Sequence, residues 1–196
     1  MNLPNKLTFF RILLIPFVMY FIMAGNIKGN MYIALALFVI ACLTDFLDGY
    51  IARKYNLITN LGKFMDPVAD KLLVICTLIC FVQLSSENAI FNQVWWVLAL
   101  IVAREIAITA YRIIAVEKGV VIAANIYGKL KTNFQMFWVI FLILYKPLSN
   151  VFEINSTFMN VYEIITWILL GMTALITVVS FIIYIVQNKQ VLKDNK

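Results

Sequence analysis

The chain has 196 residues, of which 63% are hydrophobic and 13% are charged, and it has a formal net charge of +6 and no histidine. Its mean hydropathy of +0.91 and its apolar content lie well above those of soluble domains, which are about 45–50% apolar. This composition excludes a water-soluble fold with one buried core and predicts an integral membrane protein. Without histidine, any proton transfer would depend on Asp, Glu, Lys or Tyr.

Six apolar runs are separated by short polar turns, and a transmembrane helix needs about 20 mostly apolar residues. The runs predict spans at residues 7–24, 31–50, 68–84, 94–115, 132–148 and 162–186. No small-residue cleavage site follows the first run, which therefore predicts a retained span. The expected fold is all-α, a polytopic membrane protein with six transmembrane helices in a single domain over residues 1–196.

Basic residues are distributed unevenly between the two sides of this predicted bundle, and such residues favour the cytoplasmic side of a membrane. Those on the side of the termini are Lys6, Arg53, Lys54, Lys63, Lys118, Lys129, Lys131, Lys189, Lys193 and Lys196, whereas the opposite loops hold Lys28 and Lys146. Both termini and the turn between spans two and three should therefore lie on the cytoplasmic side of the cell membrane. Because these charges have a topological explanation, they do not predict binding to nucleic acid.

Four aspartates flank the turn between spans two and three. On helices, Asp45 and Asp48 are neighbours at i,i+3, and Asp66 and Asp70 are neighbours at i,i+4. The turn is short, so the two helices should be antiparallel neighbours whose acidic pairs meet near the cytoplasmic face. A carboxylate at membrane depth costs roughly 2.5–3.5 kcal/mol, so a positive partner is expected. Oxygen-only ligands favour Mg²⁺ or Mn²⁺, and four carboxylates have the capacity for two such ions.

Simpler structural explanations exist for each aspartate taken singly. Asp66 precedes Pro67, the arrangement of a helix N-cap with proline at the first helical position. Asp45 and Asp48 would pair with Arg53 and Lys54 at a membrane boundary. The joint spacing of all four aspartates favours a functional site over these alternatives.

The segment from Asp45 to Asp70 resembles the sequence pattern of the CDP-alcohol phosphatidyltransferase family, D-x2-D-G-x2-A-R-x8-G-x3-D-x3-D, at all eight fixed positions. The resemblance implies an enzyme that joins a CDP-linked lipid to an alcohol and releases CMP, and it also implies a homodimer. It implies two metal ions bound by Asp45, Asp48, Asp66 and Asp70. Asp70 would also be the catalytic base. The implied CDP site comprises Asp48, Gly49, Ala52, Arg53 and Gly62.

Four cations form a second polar set in span four and the residues after it, Arg104, Arg112, Lys129 and Lys131, and they are accompanied by Glu105, Gly128, Thr132 and Gln135. These residues form either a cluster that sets membrane orientation or a pocket for an acceptor that carries a phosphate. Residues 3–8 with Arg11, residues 103–105 with Arg112, and residues 128–132 resemble the bacterial phosphatidylglycerophosphate synthases. That resemblance implies CDP-diacylglycerol as donor and sn-glycerol 3-phosphate as acceptor, the acceptor phosphate being bound by the second polar set.

Two alternatives remain open at this stage. The same family chemistry would serve another acceptor, such as inositol phosphate, serine or phosphatidylglycerol. A divalent-cation transporter also uses intramembrane aspartates, although transporters typically place such ligands near the midplane between repeated halves. No repeat is visible in this sequence, and its aspartates cluster toward one predicted membrane face.

Overall fold

A computed structural model describes residues 2–55, 59–86, 88–118, 126–152 and 157–192. Six long helices occur in these ranges, in agreement with the all-α prediction: α1 (Leu3–Met23), α2 (Asn30–Lys54), α3 (Asn60–Gln83), α5 (Val94–Glu117), α6 (Ile126–Val151) and α7 (Thr157–Gln187). The short helix α4 (Ala89–Asn92) precedes α5, and a 3₁₀ turn (Lys189–Leu192) follows α7.

Four of the described helices, α1, α2, α6 and α7, are long and apolar enough to cross a membrane. The protein is therefore a multi-pass membrane protein. Helices α3 and α5 have similar lengths, but charged residues such as Asp66 and Lys71 in α3 and Arg104 and Glu105 in α5 interrupt their apolar sequences. That these two helices also cross the bilayer stays a prediction.

Helix α1 packs extensively against both α2 and α3, which make little direct contact with each other. Val18 and Ile22 of α1 are fully buried in the same core as Ala34 and Phe38 of α2. The expected direct pairing of α2 with α3 is therefore replaced by an arrangement in which α1 contacts both. The acidic pairs of α2 and α3 consequently meet beside the first three turns of α1.

The second half of the bundle is built from α5, α6 and α7. Helix α7 packs against both α5 and α6, and α3 contacts α5 and α6. Trp138 and Leu142 of α6 are fully buried in the main core. This packing leaves a space between α3, α5, α6 and α7 at the end of the bundle where α3 and α6 begin.

Candidate active site

Arg11 of α1 provides the positive charge for the acidic pair of α2. Its side chain is fully buried, with Nη1 paired to Asp45 Oδ1 and Nη2 paired to Asp48 Oδ2. A buried charge without a partner costs several kcal/mol, and a guanidinium has the geometry to bind two carboxylates at once. Arg11 thus fixes α1 against the C-terminal part of α2.

Thr8 connects the acidic pairs of the two helices. Its hydroxyl donates a hydrogen bond of 2.7 Å to Asp66 Oδ1 and lies 3.3 Å from Asp48 Oδ2. Thr8 is fully buried one turn before Arg11. The structure therefore brings Asp48 of α2 and Asp66 of α3 to a single side chain of α1.

The start of α3 lies very close to α1. Thr59 Oγ1 caps the helix by accepting a hydrogen bond of 3.0 Å from the Gly62 amide, and the same hydroxyl donates to Asn5 Oδ1 at 2.9 Å. A Cβ atom on Gly62 would lie only 2.9 Å from Asn5 Oδ1 and 3.2 Å from Thr59 Oγ1. Glycine at this position allows the first turn of α3, and with it Asp66, to approach α1.

Asp70 lies one turn further along α3 than Asp66. Its Oδ1 atom is buried and has no hydrogen-bond partner among the described residues. The charged side chains of neighbouring helices that act most strongly on it are Asp45, Arg11 and Lys131. Asp70 also lines the space between α3, α5, α6 and α7.

That space is a cavity of about 210 Å³. Its lining residues with polar or charged side chains are Asp70, Lys71, Arg104, Glu105, Arg112, Lys131, Thr132, Gln135 and Tyr184, and the others are Val74, Ile75, Ile101, Ile108 and Gly128. The structure thus places three cations of the predicted acceptor set around one cavity with Asp70. The fourth, Lys129, has a side chain that lies outside the described part of the structure, as does that of Arg53 in the predicted CDP site.

Glu105 is the internal counter-ion of this basic cavity. Its Oε2 lies 3.1 Å from Lys71 Nζ, and its Oε1 lies 2.8 Å from Arg104 Nη1 and also pairs with Lys131 Nζ. Although Arg104 and Glu105 are adjacent in sequence, their long side chains meet within the cavity. Lys71, Arg104, Arg112 and Lys131 outnumber Asp70 and Glu105, so the lining favours an anionic ligand.

A model of the family described as CDP-alcohol phosphatidyltransferase matches residues 1–179. The chain belongs to this family. The match includes the four aspartates and every lining residue of the cavity except Tyr184. The chain is therefore an enzyme of CDP-alcohol phosphatidyl transfer.

Curated relatives carry the same kind of name. A CDP-diacylglycerol–glycerol-3-phosphate 3-phosphatidyltransferase of Bacillus subtilis is 44% identical over 155 residues, 74% of this chain and 77% of the relative. Proteins of the same name from Rickettsia bellii and Haemophilus influenzae are 41% and 36% identical. The alignment with the Rickettsia protein covers 85% of this chain and 86% of the relative, and the alignment with the Haemophilus protein covers 99% of this chain and 97% of the relative.

Members of this family generally depend on divalent cations, and the residues of this site fit that requirement in their chemistry. Asp45, Asp48, Asp66 and Asp70 offer only oxygen donors, and the buried Oδ1 of Asp70 is free of hydrogen bonds within the described ranges. In the same ranges, no three His, Cys, Asp or Glu side chains converge closely enough to hold a metal ion. Two of the four carboxylates, those of Asp45 and Asp48, pair instead with the guanidinium of Arg11.

Several site residues were not assigned a role from the sequence. Arg11, Thr8 and Asn5 belong to the apolar helix α1, Lys71 directly follows Asp70 in the sequence, and Tyr184 reaches the site only through the packing of α7. Arg11 and Lys71 had a usable signal, since a basic residue inside an apolar run generally faces the interior of the bundle and pairs there. Of the predicted CDP-site residues, Gly49 and Ala52 follow Asp48 in the last two turns of α2.

Proposed function

We propose that this protein transfers the phosphatidyl group from CDP-diacylglycerol to sn-glycerol 3-phosphate, giving phosphatidylglycerophosphate and CMP. The observation that carries the proposal is the position of Asp70, which lines the basic cavity and lies one turn of α3 beyond Asp66, the residue that Thr8 links to Asp48. A diphosphate donor and a phosphorylated acceptor would then meet at one carboxylate. The names of the relatives from three bacterial genera supply the two substrates.

The donor would lie with its acyl chains in the bilayer and its diphosphate beside the four aspartates. Asp48, Gly49, Ala52, Arg53 and Gly62 would line the CDP site. Asp45, Asp48, Asp66 and Asp70 would hold two Mg²⁺ or Mn²⁺ ions. When bound, such ions polarise a phosphoryl group and stabilise the charge on the leaving oxygen.

The acceptor would lie in the cavity, with its phosphate bound by Arg104, Arg112 and Lys131 together with Lys129. Charge-assisted hydrogen bonds from such groups are roughly twice as strong as neutral ones. The Oδ1 atom of Asp70 takes the proton of the terminal hydroxyl, whose oxygen attacks the phosphorus on the lipid side. The bond from that phosphorus to the CMP oxygen breaks, and CMP leaves with the electron pair.

The proposal extends to the setting of the enzyme. Both termini and the active site would face the cytoplasm, because the basic residues concentrate at that end of the bundle. Glycerol 3-phosphate would then enter directly from the cytoplasm, while the lipid donor arrives laterally within the membrane. A homodimer is expected from the family.

An acceptor panel tests this function. Purified protein in lipid-containing detergent micelles is given CDP-diacylglycerol and Mg²⁺ with glycerol 3-phosphate, inositol phosphate, serine or phosphatidylglycerol, and CMP release is measured. We expect release with glycerol 3-phosphate alone, loss of release with excess EDTA and recovery on adding Mg²⁺. Release with inositol phosphate alone would refute glycerol 3-phosphate as the acceptor and leave inositol phosphate in its place. No release with any acceptor would refute the proposed enzymatic function.

A further inference from the structure

Gln135 is a buried polar residue of the cavity to which the proposed function gives no role. Its side chain is 3% exposed, it lines the cavity, and its Nε2 has no hydrogen-bond partner among the described residues. A buried donor without a partner destabilises the folded protein, because it has lost its hydrogen bonds to water. In a cavity wall this penalty is removed when a ligand supplies the acceptor.

Two further buried atoms in the same wall lack partners within the described ranges, Asp70 Oδ1 and Arg104 Nε. The three atoms differ in chemistry. The carboxylate oxygen accepts from a hydroxyl, the charged guanidinium nitrogen donates to an anion, and the neutral amide nitrogen donates to a neutral oxygen. A ligand that matches all three carries a hydroxyl, a phosphate and one additional oxygen.

The three side chains come from three different helices around the cavity. Asp70 lies on α3, Arg104 on α5 and Gln135 on α6, four residues beyond Lys131. Four residues of α-helix correspond to about 6 Å along the axis, so Gln135 lies one turn deeper than Lys131. A ligand whose phosphate is held at the level of Lys131 would place its carbon backbone toward Gln135.

We infer that Gln135 is a specificity-determining residue that donates a hydrogen bond from Nε2 to the non-reacting hydroxyl of the acceptor. The inference rests on the proposed function and makes it more specific. Asp70 contacts the terminal hydroxyl, the basic residues contact the phosphate, and Gln135 contacts the hydroxyl on the central carbon. The site thereby selects a phosphorylated vicinal diol over a phosphorylated alcohol that has only the reacting hydroxyl.

The test compares two acceptors, sn-glycerol 3-phosphate and 3-hydroxypropyl phosphate, which lacks only the central hydroxyl. The ratio of their kcat/KM values is measured from CMP release for the wild type and for Gln135→Met, which has a similar volume and no donor. Gln83→Met is the matched control, because Gln83 is exposed at the far end of α3. Gln135→Asn retains an amide, but the side chain is shorter by one methylene and its Nδ2 lies further from the acceptor. This variant tests the inference if Gln135→Met does not fold.

We expect the wild type and the control to prefer glycerol 3-phosphate by about tenfold or more, because a polar site rejects an analogue that leaves its donor unpaired. In Gln135→Met and Gln135→Asn the preference should fall at least severalfold, mainly through slower use of glycerol 3-phosphate. A purely structural role would slow both acceptors equally, and an unchanged ratio would overturn the inference alone. Absence of CMP release from the wild type would instead refute the proposed function, and the inference with it.

Discussion

Gly62→Ala tests whether the site depends on the close approach of α3 to α1. The added Cβ would lie 2.9 Å from Asn5 Oδ1 and 3.2 Å from Thr59 Oγ1, and 3.8 Å from Asp66 Oδ2. The first distance is shorter than Cβ contacts in real structures, so Asn5, Thr59 or the start of α3 must shift. A shift there breaks the hydrogen bond of 2.9 Å between Thr59 and Asn5.

The expected loss of stability follows from three terms. Overpacking costs about 1–3 kcal/mol, and the lost hydrogen bond costs about 0.5–1.5 kcal/mol. In the opposite direction, the higher helix propensity of alanine than of glycine stabilises the variant by up to about 1 kcal/mol. The net destabilisation should be about 0.5–4.5 kcal/mol, and each kcal/mol lowers the Tm of a chain of this length by about 2–4 °C. Misplacement of a reacting group by about 1 Å costs on the order of 100-fold in rate, so we expect CMP release to fall about 10- to 100-fold.

The matched control is Gly171→Ala in α7, where an added Cβ would have no atom within 4 Å among the described residues. Its Tm and CMP release should equal or slightly exceed those of the wild type. Both proteins are compared by thermal unfolding in detergent and by CMP release with glycerol 3-phosphate. If Gly62→Ala matched Gly171→Ala in both measurements, the reasoning from the close approach would be refuted.

Three further substitutions separate the roles in the site. Asp70→Asn should lower CMP release by about 10²–10⁴-fold, the usual contribution of a general base, at an unchanged Tm; near-normal release would remove Asp70 from that role. Arg11→Met leaves Asp45 and Asp48 without their counter-charge, which should cost about 3–5 kcal/mol, and unfolding at the wild-type temperature would contradict the buried pairing. Lys131→Met should raise the KM for glycerol 3-phosphate about 10- to 100-fold, as expected for a lost charged hydrogen bond, whereas an effect confined to the KM for CDP-diacylglycerol would place the acceptor elsewhere.

The helices and the acidic pairs were predictable because both depend on local sequence. Apolar run length fixes a membrane helix, and the spacing of Asp45 with Asp48 places both carboxylates on one side of α2 whatever that helix contacts. The predicted spans at 31–50 and 94–115 accordingly fall within the observed α2 and α5. The structure extends these helices at their polar ends, where the backbone continues to hydrogen-bond after the sequence has ceased to be apolar.

The neighbours of each helix were not predictable in the same way. A short turn between α2 and α3 suggested direct contact, yet α1 packs against both of them. Helix association depends on side-chain shape along the whole interface, which a periodicity argument does not contain. The role of Thr8 as the link between Asp48 and Asp66 therefore appears only in three dimensions.

The ion pairs in the cavity, like the helix neighbours, could not be predicted from the sequence. The sequence alone does not place Arg104 beside Glu105, because adjacent residues of a helix point about 100° apart. In the structure their flexible side chains converge at Glu105 Oε1, where Lys131 from α6 also arrives. Long charged side chains extend well beyond the direction set by their Cα atoms, so the partner of a buried charge is decided by packing.

The path of one oxygen atom tests the central claim most directly. Purified enzyme with CDP-diacylglycerol and Mg²⁺ is given glycerol 3-phosphate that carries ¹⁸O in its terminal hydroxyl, and the products are analysed by mass spectrometry. Direct attack by that hydroxyl on the lipid-side phosphorus predicts that the ¹⁸O is retained in phosphatidylglycerophosphate and absent from CMP. Recovery of ¹⁸O in CMP, or formation of CMP without a labelled lipid product, would contradict the account.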